Sequence, residues 1–438
     1  MNFRSALRTL RSTRPRSLLL VWAGAATASW DVVGVDLAGR TLKLTTLCFL
    51  LGAVFWLAEH RSAWRWTTLP TRHRLTVGLT LTLLGWMGIR SVFTSAPISS
   101  LSGFAAQLIP AGAPFIAVLW HRTWASTIVR AFVYGMAATS VAAIYEVIAK
   151  SNGWYWPTAY EAKVNGTFRA AGFAFEAAYF AAPAVAAIVI CLFWWPRGVG
   201  RLGILAVIFA AIVAANARIV FVQIVVAFIV LVALGLWMRG AQRVQLLRGL
   251  AGVVLIGAIV GLGVLLLSPS MVGTIGDRAA SIFDPNEVTS NSPRLEEAER
   301  VGDVIIDHPI IGIGPGRLGD EFRARGFVDD ATQNNDATYV TNNTWTQSLV
   351  DGGVIALALQ LAVVVSVIAG TRRAITMREA AVLTAWLSLV LAAGLTVSNF
   401  WDTELWLLLA CHLGLTSDER TPGAPVEHVD ESVPEHLG

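Results

Sequence analysis

The chain has 438 residues, of which 55% are hydrophobic and only 14% are charged. A soluble globular domain carries about 25% charged residues, so this composition excludes an ordinary soluble protein and predicts a polytopic membrane protein. The formal net charge of +4 fits basic cytoplasmic loops, and we expect no nucleic-acid partner. The three cysteines lie inside apolar runs without disulfide or metal-ligand spacing, and we expect neither a metal nor a cofactor.

Apolar stretches follow one another along most of the chain. Most are long enough to cross a hydrocarbon core about 30 Å thick. They predict an all-α polytopic membrane protein with about twelve transmembrane helices. The stretches lie near residues 17–37, 42–59, 75–93, 99–119, 127–149, 172–194, 202–216, 219–238, 249–268, 346–370, 379–399 and 403–415.

The distribution of basic residues between these stretches predicts the orientation. Arginines cluster before the first stretch, in 61–74, in 239–248 and in 372–378, and the positive-inside rule places such loops in the cytoplasm. The first apolar stretch lacks a convincing cleavage site, so we expect an uncleaved span. These patterns predict a multi-pass protein of the cytoplasmic (inner) membrane with both termini in the cytoplasm.

This topology divides the chain into four parts. Residues 1–268 hold transmembrane helices 1–9, and residues 344–415 hold helices 10–12. Between them, residues 269–343 form a large extracytoplasmic loop domain. The acidic, proline-containing segment 416–438 is expected to be a disordered cytoplasmic tail.

The loop domain contains one clear helical pattern, SPRLEEAERVGDVIIDHP (292–309). Ser292 is in a position typical of an N-cap, and Pro293 would be the first helical residue. We expect an amphipathic helix of about four turns lying on the membrane face, ended by the glycines of GIGPG. Its apolar face would be formed by Leu295, Ala298, Val301, Val304 and Ile305.

Charged residues near the ends of the predicted spans are few, and such residues commonly face a cavity or a partner. Glu146 and Glu176 lie near the outer ends of two spans, and Asp402 and Glu404 occupy the turn NFWDTELW. Arg218 lies alone in the short turn AANARIVFVQ. A helix-end arginine often only snorkels to the interface, but the short turn without nearby acids favours a binding role for Arg218.

Further along, DHPIIGIGPG (307–316) is followed by NTW (343–345) and DGGVI (351–355). This arrangement resembles the hallmark region of the O-antigen ligase and Wzy-type polymerase superfamily, whose members usually carry HPLxGxGPG and then HNxxLQxxxExGxxG. The resemblance covers residues 165–360. It implies a GT-C-like membrane glycosyltransferase that takes a glycan from an undecaprenyl-diphosphate carrier in the lipid bilayer and passes it, outside the membrane, to a hydroxyl of a glycan or lipid acceptor.

The resemblance also implies which arginines bind the diphosphate. Arg218 matches the arginine of the family's short "SR" turn, although alanine precedes it here, and Arg294 matches an arginine that opens the family's periplasmic helix. Arg169, in NGTFRAAGF, is a third candidate. A guanidinium fork suits phosphate oxygens. The alternatives are a surface pair of Arg294 with Glu297 and an ordinary loop arginine at Arg169.

GFAFEAAYFAAP is similar to the family's GxFxEPxxxA segment and matches Glu176 to its acid. We place Glu176 about one turn inside the sixth span. It would serve as a general base, a hydroxyl ligand or an arginine partner. A purely structural ion pair with Arg218 or Arg169 is an equally open alternative.

One residue departs from the family pattern, because Asn342 stands where the catalytic histidine is expected. Asparagine cannot accept a proton at neutral pH and can only orient a group by hydrogen bonds. The catalytic candidates are therefore Asn342, Glu176 and Asp336, with Asp351 and His308 as further possible bases. Five residues are expected to support the motif: His308, Gly314, Gly316, Asn343 and Gly353. His308 would do so by capping the preceding helix.

Two other classes of function stay open. A transporter or flippase of lipid-linked oligosaccharide would suit about twelve spans, but the long outer segment and the lack of repeated interrupted helices argue against it. A non-catalytic glycan-binding membrane protein is compatible with Asn342. Within the family, the missing histidine favours a polymerase or a divergent transferase over a ligase.

Overall fold

The structure is a computed structural model. The described residues are 15–37, 40–59, 71–156, 163–164, 167–174, 176–195, 198–238, 243–244, 246–247, 291–327, 341, 343–371, 376–394 and 402–418. Two catalytic candidates, Asn342 and Asp336, lie outside these residues, as do the predicted span near 249–268 and the predicted tail from 419 onward. Arg294 lies in a described helix, but its side chain is not described.

Helices dominate the fold. In chain order they are α1 (Arg16–Ala26), α2 (Leu44–Glu59), α3 (Thr71–Val92), α4 (Pro97–Trp120), α5 (Ala125–Ser151), α6 (Ala177–Trp194) and α7 (Val199–Ala215). They continue with α8 (Ile219–Trp237), α9 (Asn291–Asp307), α10 (Leu318–Ala324), α11 (Thr344–Thr371), α12 (Met377–Ser388) and α13 (Thr403–Asp418). A π-helical turn, Leu389–Ala393, continues α12.

Two antiparallel hairpins accompany the helices. Strands β1 (Gly34–Leu37) and β2 (Arg40–Lys43) pair with Gly34 opposite Lys43. Strands β3 (Lys163–Val164) and β4 (Thr167–Phe168) form the second hairpin. The fold is therefore all-α apart from these short loop elements.

Every predicted span that falls within the described residues overlaps a helix. Five helices there are long and apolar enough to cross a membrane, namely α3, α5, α6, α8 and α11, or six if α4 crosses as one span despite its bend of 43°. Four shorter helices are also apolar: α1, α2, α7 and α13. The chain is thus a multi-pass helical membrane protein, while a total of about twelve spans stays a prediction.

The first predicted span, 17–37, is wrong in its second half. Helix α1 ends at Ala26, and the following segment is held by tertiary contacts. The Trp30 Nε1–H donates to Thr139 Oγ1 (2.9 Å), Val32 N–H donates to the Phe173 carbonyl (3.1 Å), and Asp31 pairs with Lys43 Nζ (2.5 Å). This stretch is apolar because it packs against α5 and the 168–174 loop.

The core lies around α6 and α12. Helix α6 is apolar on all sides and rich in alanine, and every residue of α12 from Glu379 to Ser388 is buried. A helix that is apolar all round belongs in the interior of a bundle. Helix α6 packs against α7, α8 and α12, while α11 packs along α3 and α13 packs along α4.

The two ends of the bundle differ in composition. At one end, buried polar pairs join neighbouring helices, such as His73 Nε2 with Thr416 Oγ1 (2.8 Å) and His121 Nε2 with Ser17 Oγ (2.9 Å). The other end, which we call the motif end, gathers both hairpins, the α7–α8 turn, α9, α10 and the start of α11. All the described candidate residues lie there.

Candidate functional site

The segment 308–316, which we call the motif turn, is built onto a break in α11. Gly353 has non-helical angles (φ 67°, ψ −166°), so the helical hydrogen bonds around it are lost and the freed groups need other partners. Val354 N–H donates to the Pro309 carbonyl (2.9 Å), while the Val350 and Asp351 carbonyls accept from Ile313 N–H (2.8 Å) and Gly314 N–H (3.0 Å). The motif turn thus replaces the bonds that the break removes.

This junction requires glycine at two facing positions. A Cβ at Gly353 would lie 2.1 Å from the Ile310 carbonyl oxygen, and a Cβ at Gly312 would lie 2.5 Å from the Val350 carbonyl oxygen. Both residues also have φ between 60° and 70°, a region that side-chain-bearing residues rarely adopt. Gly314 and Gly316 share the positive φ, so the motif glycines shape the backbone.

Helix α3 fixes the motif turn from the other side through Arg90, which sequence reasoning did not single out. Arg90 is 9% exposed, and its guanidinium donates to the carbonyls of Ile311 (2.7 Å), Gly312 (2.9 Å) and Phe93 (3.1 Å). Trp86 Nε1–H, one turn earlier, donates to the Gly352 carbonyl (2.8 Å). The sequence feature that could have indicated this role is an arginine at the end of the apolar run LTLLGWMGIR.

Helix α9 packs on protein. Val301 and Val304 are buried in a small apolar cluster with Leu318 and Phe322 of α10 and Val350 of α11. The predicted amphipathic helix is therefore present, and the C-terminal part of its apolar face, Val301, Val304 and Ile305, packs against α10 and α11, whereas Ala298 is exposed. The helix begins at Asn291, so the predicted cap Ser292 lies inside it.

The N-terminus of α11 is held by a short network of polar side chains. Asn343 Oδ1 accepts from Trp345 N–H (2.8 Å) and Thr346 N–H (3.2 Å), which caps the helix. Gln347 Oε1 accepts from Thr341 N–H (2.7 Å), and Gln347 Nε2 donates to the fully buried Asp351 (2.9 Å). Asn343 and Asp351 thus organise the backbone on either side of Asn342.

Two of the three predicted diphosphate ligands meet at the α7–α8 turn. Helix α7 ends at Asn216 in the left-handed conformation (φ 44°), and Arg218 occupies the N-cap position of α8. Arg169 approaches the same turn from the loop after β4, and its Nε–H donates to the Ala215 carbonyl (3.0 Å). Two guanidinium groups beside a helix N-terminus make this turn electropositive.

Glu146 anchors the loop that carries Arg169. Its carboxylate is fully buried and accepts from Lys150 Nζ (2.8 Å), Ala171 N–H (2.8 Å) and Gly172 N–H (2.6 Å). A carboxylate satisfied in this way fixes a backbone. The acid that the sequence placed near the outer end of the fifth span therefore has a structural role.

Glu176 does not lie one turn inside the sixth span, because α6 begins only at Ala177. Gly172, bound to Glu146, turns the chain with φ 63° before the helix starts. Glu176 is half-buried at the N-cap position and makes no capping bond. Within the described residues it forms no ion pair with Arg169 or Arg218.

His308 closes the C-terminal turn of α9 through its backbone. Its N–H donates to the Val304 and Ile305 carbonyls, and its own carbonyl accepts from Gly312 N–H (3.1 Å). The imidazole is exposed. His308 thus links α9 to the motif turn by main-chain bonds.

A second group of charges lies at the motif end, around Asp402 and Glu404. Burial raises the pKa of Asp402 to about 7, with nearby Lys43 opposing and Asp31 adding to the shift. Among the described residues, no group of three or more His, Cys, Asp or Glu side chains is arranged to hold a metal ion.

Fold and site together define a multi-pass helical membrane protein that has a glycine-rich turn bound to a broken helix, and two arginines at the α7–α8 turn at the same end of the bundle. The sequence model of the O-antigen ligase family matches residues 203–361, a segment that contains Arg218, α9, the motif turn and the break in α11. This match confirms the resemblance to the O-antigen ligase and Wzy superfamily, and it implies a glycosyltransferase-like enzyme that processes glycans at the membrane. No curated protein matches the chain.

Proposed function

We propose that this protein is a membrane glycosyltransferase that moves a glycan from an undecaprenyl-diphosphate carrier to an acceptor hydroxyl on the outer side of the membrane. The observation that carries the proposal is the presence of two arginines at the α7–α8 turn: Arg218 is the N-cap residue of α8, and Arg169 donates to the Ala215 carbonyl. A lipid diphosphate needs several charge-assisted hydrogen bonds, and arginine supplies two at a time in fixed geometry. The match to the O-antigen ligase family supports the same substrate class.

The chemistry is a displacement at the anomeric carbon of the donor sugar. The acceptor oxygen forms the new bond as the bond to the diphosphate oxygen breaks, and the electron pair leaves on the diphosphate. Arg218 and Arg169 stabilise the negative charge that develops there. Arg294, at the start of α9, is the third candidate for this group, and Asn342 would orient the acceptor hydroxyl. The overall helical architecture expected for this reaction is GT-C-like.

The proposal is tested with purified protein in detergent. A total lipid extract of the native host supplies the lipid-linked glycan and the acceptors, and mass spectrometry detects the product. We expect product formation by the wild-type protein, a loss of about 100-fold or more for Arg218→Ala, and a smaller loss for Arg218→Lys, which keeps the charge but not the fork. A product ladder would indicate a polymerase, and a single addition would indicate a ligase.

Arg378→Ala is the matched control, since Arg378 is exposed at the end of the bundle opposite the motif end. It should keep wild-type activity. A detergent solution has no sealed compartments, so a transporter yields no signal in this assay. Absence of product from the wild-type protein, or full activity of Arg218→Ala, would overturn the proposed mechanism.

A further inference from the structure

The motif turn carries a run of apolar side chains that its own fold leaves uncovered. Ile310 is 61% exposed, Ile311 is 44% exposed, and Pro309 beside them is also exposed. The run ends at Gly312, which is buried against α11. Adjacent apolar side chains on a surface indicate contact with a partner or a membrane. We call Pro309, Ile310 and Ile311 the apolar lip.

Helix α11 shows where the surface of the bundle meets lipid. Every residue from Thr344 to Gly353 is at least partly buried, whereas beyond the break the exposed positions recur every three or four residues. Such spacing puts them on one helix face. This face consists of Val354, Ala358, Leu361, Val365 and Ala369. Because α11 is long and apolar enough to cross a membrane, its exposed apolar face contacts acyl chains, and that contact begins at Val354.

Helix α3 gives the same boundary. Its exposed positions also follow at three- or four-residue spacing, with Leu81, Gly85, Ile89 and Val92 on one face. Helix α3 is itself long and apolar enough to cross the membrane, and it packs along α11. Its lipid-facing side therefore extends to Val92, the last residue of the helix.

Hydrogen bonds place the apolar lip at the level where these two faces end. Val354 N–H donates to the Pro309 carbonyl (2.9 Å), so the lip touches α11 at its first lipid-facing residue. Arg90 Nε–H donates to the Ile311 carbonyl (2.7 Å), and Arg90 follows Ile89 directly in α3. One residue is a rise of about 1.5 Å along a helix. The lip thus lies at the depth of lipid-facing residues on two neighbouring helices.

The backbone of the motif turn suits a place at the edge of the hydrocarbon. Non-helical backbone at membrane depth is tolerated where protein groups satisfy its hydrogen bonds. Protein donors reach the carbonyls of Pro309, Ile311 and Gly312. Protein acceptors reach the N–H groups of Gly312, Ile313 and Gly314. The lip can therefore face lipid without exposing these polar groups to it.

Charged groups lie close to the lip and need water. Asp307, just before the lip, pairs with Arg325 at the end of α10 (2.8 Å). On the same short helix, Asp320 pairs with Arg323 (3.3 Å) and with the preceding Arg317 (2.9 Å). Charged groups are costly inside a bilayer. The change from charged α10 to the apolar lip therefore marks the boundary between water and lipid.

We propose that the apolar lip inserts among the lipid acyl chains of the membrane leaflet at the motif end. The occupant of this surface is the bilayer, because the lip continues two apolar faces that already contact it and stops at a charged border. The glycine junction with α11 is thereby held near the depth of the lipid headgroups, where a lipid-linked substrate carries its polar group. Membrane contact of the lip requires no transfer activity, so it stands or falls apart from the proposed function.

The test places a small environment-sensitive fluorophore on single added cysteines of the full-length protein, reconstituted into phosphatidylcholine vesicles. The native cysteines are buried and contribute little background. Ile310→Cys carries the label in the lip, Asp303→Cys is the water-facing control at an exposed position of α9, and Ile89→Cys is the lipid-facing control at the same depth. A nitroxide near the top of the lipid acyl chain quenches labels that contact lipid, and aqueous iodide quenches labels that contact water.

The nitroxide lipid should remove most of the fluorescence at Ile310→Cys, as at Ile89→Cys, and little at Asp303→Cys. The emission of Ile310→Cys should also lie at a shorter wavelength than that of Asp303→Cys, because the label leaves water. Iodide should quench mainly Asp303→Cys, which lies at the same end of the bundle and therefore faces the same side of each vesicle.

Nitroxide quenching decides the outcome. Quenching at Ile310→Cys as weak as at Asp303→Cys would overturn insertion of the lip, and iodide would then show what covers it: strong iodide quenching means water, and weak iodide quenching means protein, such as a second copy of this chain. If Ile310→Cys does not fold, Ile311→Cys provides the same comparison, since its side chain is exposed in the same lip. None of these measurements uses glycosyl transfer, so failure of insertion and failure of the proposed function are distinguishable.

Discussion

Gly353 occupies a backbone position that only glycine can take without strain, because its φ is 67° and a Cβ would lie 2.1 Å from the Ile310 carbonyl oxygen. We expect Gly353→Ala to lower the free energy of unfolding by about 2–4 kcal/mol. The three buried cysteines allow a thiol-reactive dye to report thermal unfolding in detergent. Gly353→Ala should therefore unfold at a clearly lower temperature than the wild type.

Gly85 provides the matched control. It lies in the middle of α3 with open space around its Cα, so Gly85→Ala should raise the stability slightly, by about 0.5–1 kcal/mol. Equal melting temperatures for the two alanine variants would contradict the tight junction between α11 and the motif turn.

Asp402 gives the stability of the protein a defined pH dependence. Its pKa is raised from 3.8 to about 7 in the folded protein, so between these pH values the folded state binds a proton that the unfolded state has released. Stability contributed by this group is therefore full at low pH and falls as pH rises from about 4 to 7. Asp402→Asn should flatten this fall and melt at a higher temperature than the wild type at pH 8.

The melting temperature between pH 5 and 8 checks this prediction, with Asp303→Asn as the control that keeps the wild-type slope. A melting temperature that falls more steeply with pH in Asp402→Asn than in the wild type would contradict the predicted direction of the effect.

At the scale of elements, Arg90 joins α3 to the motif turn by hydrogen bonds to two motif carbonyls. Arg90→Ala leaves these carbonyls without their donor, a loss of about 1–3 kcal/mol. Because each 1.4 kcal/mol is tenfold in an equilibrium constant, amide hydrogens of residues 308–316 should exchange about 10- to 100-fold faster. Exchange followed by mass spectrometry measures this directly.

Arg90→Lys separates charge from geometry in the same experiment. A lysine keeps the positive charge but cannot place fixed donors on Ile311 and Gly312 together, so we expect an intermediate acceleration. Arg378→Ala should leave the exchange of the motif turn unchanged. Unaltered exchange in Arg90→Ala would show that the glycine junction alone holds the turn.

The elements that the sequence predicted well are those set by local pattern. Apolar runs located α2 to α8 and α11 to α13, because a lipid-facing or fully buried helix must be apolar along its length. The glycines at 314, 316 and 353 also marked the motif through their local preference for turns. Asn343, a residue type that favours helix N-caps, directly precedes the apolar run of α11, and its side chain caps that helix.

The features that could not be predicted from the sequence depend on contacts between residues that are far apart along the chain. The end of α1 at Ala26 follows from contacts of residues 30–32 with Thr139, Phe173 and Lys43, and an apolar run alone does not distinguish such packing from a span. The role of Arg90 exists only because the motif turn, more than 200 residues later, presents two carbonyls to it.

At the scale of the whole molecule, the described candidate residues come from five regions of the chain but lie at one end of the bundle. Glu146 and Lys150 fix the loop that carries Arg169, Arg90 fixes the motif turn, and Gln223 connects α8 to α6. If each helix crosses the membrane once, two regions of the chain that are separated by an even number of helices lie on the same face of the membrane. The proposed reaction requires that this face be the outer one, where the carrier presents its glycan.

The orientation can be tested with single added cysteines, because the native Cys48, Cys191 and Cys411 are all buried and contribute little background. Arg323→Cys lies on α10 at the motif end, and Arg378→Cys lies at the start of α12 at the opposite end; both positions are exposed. In cells with a permeabilised outer envelope but an intact inner membrane, a membrane-impermeant maleimide should label Arg323→Cys only. After the inner membrane is opened, both should be labelled. Labelling of Arg378→Cys alone in the first condition would place the motif end in the cytoplasm, where the proposed transfer from an outward-facing carrier cannot occur.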